Sequence, residues 1–144
     1  MKDIIDQYTY TFKLYNDGKI IENLITVLEM LFLNKNDSKY KKESLSKRVS
    51  VFLGNDDAET KNIYLKVKEF YKIRSDSTHE GKISNIELET NDTKELVRKT
   101  LLKYLMEVEN SCNNNEFSSF KQYKNKKISN LKKTVSEKDS IIFQ

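Results

Sequence analysis

One short stretch holds the residue types that acid–base chemistry needs. It is Phe70-Tyr71-Lys72-Ile73-Arg74-Ser75-Asp76-Ser77-Thr78-His79-Glu80-Gly81, where polar side chains interrupt an apolar helical pattern. The stretch contains the only histidine of the chain and one of three arginines, the others being Arg48 and Arg98. A guanidinium is permanently cationic and forks onto phosphate oxygens, so it can hold a scissile phosphate and stabilise the charge that develops on it. An imidazole with an ordinary pKa of about 6.5 can take a 2′-hydroxyl proton or give one to a leaving oxygen. The pair therefore suits cleavage of an RNA phosphodiester, a reaction that calls for neither metal nor cofactor. Arg74 and His79 are five positions apart, about 140° around a continuous helix. They converge if the helix ends or kinks after Arg74, which local hydrogen bonds from Ser75, Asp76 and Ser77 would support. With one histidine per chain, a general acid and a general base together require a second copy across a two-fold axis, so a homodimer belongs to this chemistry. The same residues also have a purely structural reading, with Arg74 paired to Asp76 or to a carboxylate on another helix and His79 capping the helix end.

The elements that would position this stretch are helical. The chain has 144 residues, no proline and only Gly18, Gly54 and Gly81 as strong breakers, which favours helices joined by Asn-, Asp- and Ser-rich turns. After Asn16-Asp17-Gly18, the residues Ile21, Leu24, Ile25, Leu28, Leu31 and Phe32 recur at helical spacing until Asn34-Lys35-Asn36-Asp37 ends the pattern. This is the expected central core helix. Leu45, Val49, Phe52 and Leu53 predict a shorter helix closed by Gly54. Ile63, Val67, Phe70, Tyr71 and Arg74 then share one face of a helix over 58–74. Ile83, Ile86 and Leu88 read as an irregular or briefly extended connector. The next helix is expected to open at Asn91-Asp92-Thr93, with Asp92 or Thr93 as N-cap, and to bury Val97, Leu101, Tyr104, Leu105 and Val108. A last helix carries Phe117, Phe120, Tyr123, Ile128 and Leu131, with fraying expected from Val135. The segment Ile4 to Tyr15 fits a helix through Ile4, Tyr8, Phe12 and Tyr15 but also alternates like a strand over 8–12; the helix is preferred. The expectation is a single all-α domain over 1–144, a bundle of about five helices.

Composition excludes several classes. A lone Cys112 cannot form an internal disulfide, and one histidine with one cysteine does not make a structural zinc site. No apolar run approaches the roughly 20 residues that span a bilayer, and Met1 to Asp6 lacks the basic start of a signal peptide. A cytoplasmic protein with no membrane partner is the expectation. The formal charge of +4 is uneven: residues 1–72 carry +2, residues 73–110 carry −2 and residues 111–144 carry +4. Lys121, Lys124, Lys126, Lys127, Lys132 and Lys133 could follow a phosphate backbone, or form the solvated face of a terminal helix. Glu29 interrupts the core helix; a buried carboxylate needs a partner, and Arg48 or Arg74 is the obvious one, most simply as a structural ion pair. Tyr71 and Tyr64 could stack on bases, although core packing is the simpler role for them as for Met30 and Phe32.

At these residues the chain resembles a known family. The run from Tyr71 to Gly81 is similar to the Arg-x4-6-His signature of HEPN domains, in particular the Apea-like group associated with abortive-infection proteins. Leu28-Glu29-Met30-Leu31-Phe32 resembles that group's LExLF core-helix segment, and Leu45 to Gly54 its next helix, with Arg48 in the middle and a terminal glycine. Order and spacing agree over about residues 20–108. The resemblance implies four or five helices and a dimer whose two motifs face each other in a shared cleft. It also implies a metal-independent ribonuclease with Arg74 and His79 as catalytic positions. Ser75 then occupies the polar position after the arginine, where Asn, Asp or His is commoner, and Asp76 supports the site. Glu80 would orient the imidazole or raise its pKa. The implied setting is phage defence or a toxin system, with an antitoxin or a larger defence protein as partner. Two other functions fit the same sequence: a non-catalytic HEPN dimer that binds RNA or nucleotide or scaffolds a defence assembly, and a helical assembly protein whose basic tail docks an acidic partner.

Overall fold

The computed structural model describes residues 1–77 and 86–144, and among these all regular structure is helical, with six α-helices and no strand. They are α1 (Lys2–Tyr10), α2 (Asp17–Phe32), α3 (Lys41–Leu53), α4 (Asp57–Ser77), α5 (Ile86–Asn113) and α6 (Phe120–Ile142). Single turns of 3-10 helix follow α1 at Thr11–Lys13 and α2 at Lys35–Asp37.

The core is built around α2. Asn16 opens it by accepting the Lys19 amide at 3.0 Å. Leu24, Ile25, Val27, Leu28, Leu31 and Phe32 are all fully buried. A helix apolar on nearly every side must be enclosed, and α1, α3, α4 and α5 all pack on it. Even its polar Asn23 is internal: its amide donates to the Gln7 carbonyl and the Thr11 hydroxyl, each at 2.8 Å, and its carbonyl accepts from the Gln7 side chain. These bonds tie α1 and the turn after it to α2, so the helical reading of the N-terminal segment holds.

The α3 and α4 helices form a close hairpin. Gly54 ends α3, as expected, but in an extended conformation rather than a left-handed one. Its lack of a side chain matters for another reason: a Cβ there would come within 3 Å of the Thr60 backbone. Phe32, Phe52, Tyr104, Phe120, Tyr123 and Phe117 then make a chain of ring contacts that joins α2, α3, α5 and α6, with centroids 5.2–6.3 Å apart.

Three helices exceed the sequence expectation: α4 continues to Ser77 instead of ending at Arg74, and α5 and α6 are extended as well. α5 begins at Ile86, so Ile86 and Leu88 are helical and neither Asp92 nor Thr93 is an N-cap. Thr90, Thr93 and Thr100 are buried there, each bonding the carbonyl four residues back at 2.6–2.7 Å, which lets hydroxyls sit inside a helix without unmet needs. α6 continues to Ile142 instead of fraying from Val135. Ile142 is buried, the Phe143 ring lies 4.9 Å from that of Tyr64, and Asp139 accepts from Lys47 at 2.5 Å. No helix among the described residues is long and apolar enough to cross a membrane.

Candidate functional site

Arg74 reaches its position because the apolar face of α4 buries Val67, Phe70 and Ile73 against the bundle, leaving Arg74 at the boundary with solvent. There its Nη1 donates to Glu29 Oε1 at 2.9 Å. Tyr71, three residues earlier, donates its hydroxyl to the same carboxylate oxygen. The Arg74 guanidinium also lies over the Tyr71 ring, 5.4 Å from its centre. Glu29, on α2, is therefore a shared acceptor for a cation and a phenol from α4. Burial, and then the Glu29 carboxylate accepting from it, push the Tyr71 hydroxyl well above its ordinary pKa, so it remains a donor at any physiological pH. The Arg74 side chain keeps 28% of its surface exposed and Glu29 16%, which places the cation at a rim rather than inside the core. Ser75 is exposed beside it. The backbone of Asp76 is in the last turn of α4; its side chain, together with His79 and Glu80, lies outside the described residues.

Arg48 is held elsewhere, so of the two partners expected for Glu29 it is Arg74 and not Arg48 that pairs with it. Arg48 is buried and grips Asp37 in a bidentate pair at 2.7 and 2.8 Å, while its Nη1 also donates to the Phe32 carbonyl at 2.7 Å. Asp37 in turn accepts the Asn34 amide at 2.9 Å, closing a capping box around the 3-10 turn. The Arg48 hydrogen bonds hold the Asp37 carboxyl well below its ordinary 3.8, at about 2. Sequence reasoning passed over Asp37 because Asn34 to Asp37 reads as a helix stop. The signal was there in the Asn-x-x-Asp spacing that a capping box uses.

The lysines separate by environment. Lys121 is exposed on α6. Lys124 is partly buried, and this burial pulls its ammonium pKa down. Lys127 is committed: it donates to Glu107 and stands 5.5 Å from the centre of the Phe52 ring. Tyr64 is buried and bonded to Glu43 and Lys68 at 2.8 and 3.0 Å, so it packs rather than offering a stacking face. Among the described residues, no three His, Cys, Asp or Glu side chains gather as a metal site. Comparison of the chain with protein-family models, with curated proteins and with solved structures gives no match.

Proposed function

We propose that this protein is an Apea-like HEPN endoribonuclease that acts as a homodimer in a cytoplasmic phage-defence or toxin system, with Arg74 and His79 as its catalytic residues. One observation carries the reading. The three segments on which the resemblance rests, far apart in the chain, are physically joined: Glu29 of the first holds Arg74 of the last, and Arg48 of the second holds the Phe32 carbonyl of the first. A chance likeness of three short strings has no reason to converge on the last two turns of one helix.

In the proposed reaction the RNA 2′-oxygen forms a bond to phosphorus and the bond from phosphorus to the 5′-oxygen breaks, leaving a 2′,3′-cyclic phosphate and a 5′-hydroxyl. His79 of one chain takes the 2′ proton, and the partner subunit's His79 gives a proton to the departing 5′-oxygen. Arg74 stabilises the charge that builds on the phosphoryl oxygens, and Glu29 and Tyr71 hold its fork in place.

The test is incubation of wild type, Arg74→Ala and His79→Ala with labelled RNA in EDTA, with the dimer checked in each. Cleavage by wild type and its loss in both variants is the expected result; retained cleavage in either variant removes the mechanism. A second reading has an observation of its own, since Arg74 already satisfies a carboxylate as a structural arginine would. A non-catalytic HEPN dimer that binds RNA or nucleotide, or scaffolds a defence assembly, would show saturable RNA binding with no turnover.

A further inference from the structure

A second charged surface lies at the turn that links α2 to α3, which follows the end of α2 where Glu29 holds Arg74. Its sequence, Asn34-Lys35-Asn36-Asp37-Ser38-Lys39-Tyr40-Lys41-Lys42, sets four lysines against a single carboxylate. That carboxylate is internal and held by both guanidinium nitrogens of Arg48, so none of the four lysines of this stretch has it as a hydrogen-bonded partner. All four lysines are exposed. α6 adds another cation from across the bundle, with Lys132 Nζ 3.8 Å from Asp37 Oδ1 and about half its side chain in solvent. The same turn carries an aromatic ring that is largely in solvent: Tyr40 is 65% exposed, with the Lys39 ammonium 5.4 Å from its ring centre.

Elementary chemistry narrows the partner. Lysines alone would serve any polyanion, acidic proteins included. An exposed ring among them adds a flat apolar face, which unpaired bases stack on and carboxylate side chains do not use. A duplex keeps its bases stacked on one another and has none to offer. The turn also follows the end of α2 that holds Arg74. Glu29, which holds Arg74, precedes Phe32, whose carbonyl holds Arg48, by a single turn of α2, roughly 4.5 Å of helix axis.

We propose that Tyr40, with Lys39 and Lys132, is a docking platform for single-stranded RNA, Tyr40 stacking on a base while the lysines meet flanking phosphates. The proposal deepens the ribonuclease reading, on which it rests for the choice of RNA.

The experiment is fluorescence anisotropy of the full chain with a labelled 12-nucleotide 2′-O-methyl RNA, which lacks the hydroxyl that cleavage needs, alongside its duplex and a poly-glutamate competitor. Tyr40→Ala should weaken single-strand binding about tenfold, Tyr40→Phe should bind like wild type, and Lys39→Gln with Lys132→Gln should flatten the salt slope by about 1.4. Thermal melts check that each variant is folded. Undiminished binding by Tyr40→Ala, equal binding of the duplex, displacement by poly-glutamate, or no single-strand binding would each overturn the platform. The two readings fail separately. Wild type that binds the 2′-O-methyl strand through Tyr40 but leaves natural RNA intact ends the ribonuclease and keeps the platform. Cleavage that depends on Arg74 and His79, with Tyr40→Ala binding undiminished, does the reverse.

Discussion

Arg74 and Glu29, 45 residues apart in sequence, meet at 2.9 Å on the rim of the bundle, and the Glu29 oxygen that accepts from Arg74 also accepts from the Tyr71 hydroxyl. The consequence is directional. Glu29→Gln keeps the shape and removes the charge that aims the guanidinium. Under the ribonuclease reading, RNA cleavage should fall about tenfold to a hundredfold, the range expected when a catalytic group is displaced by about 1 Å. Urea denaturation should show a loss of about 1–3 kcal/mol, as for a hydrogen bond to a charged group. Tyr71→Phe keeps the ring beneath the guanidinium and should cost about 1 kcal/mol and less of the activity. Full cleavage by Glu29→Gln would detach Glu29 from the site.

The Arg48–Asp37 pair makes a prediction about acid. The folded Asp37 carboxyl titrates at about 2, below the 3.8 ordinary for the group, so its ionised form is favoured by folding. That stabilisation is complete above about pH 5 and is lost as the pH falls through 4 towards 2, a change of about 2 kcal/mol. Urea midpoints of wild type and Asp37→Asn, compared at pH 6 and pH 2, should draw together by that amount; a constant gap would contradict the pairing. At neutral pH, Arg48→Ala leaves the buried Asp37 carboxylate with only the Asn34 amide and the half-exposed Lys132 ammonium beside it, and should cost about 3 kcal/mol.

Much of the architecture was legible because its signals were local. The run from Ile21 to Phe32 is apolar at helical spacing, and that helix is the buried centre. Arg74 on the apolar face of its own helix pointed to a carboxylate partner, and Glu29 is one of the residues that the reading singled out. What escaped the sequence depended on distant partners. The buried threonines of α5 resemble cap residues until the carbonyls they bond are seen. Asn23 reads as an ordinary polar interruption, yet it fastens α1 through Gln7 and Thr11.

The end of α6 supplies a contrast between neighbours. Ile142 is buried and Ile141 is 69% exposed. Ile142→Ala should therefore lower stability by about 2–5 kcal/mol in urea denaturation, whereas Ile141→Ala should stay within about 0.5 kcal/mol of wild type. Equal effects would mean that the tail does not dock through Ile142.

The tight approach of Gly54 to Thr60 also acts as a phase setting for everything downstream on α4. Arg74 is 14 residues beyond Thr60, roughly 21 Å along the axis, and each residue advances the helix by about 100°. One residue inserted between them would swing the guanidinium about a quarter turn away from Glu29 while leaving the helix itself intact. The meshing of two backbones at one end of the hairpin thus decides, like the timing mark on a gear, which way the cation at the other end faces.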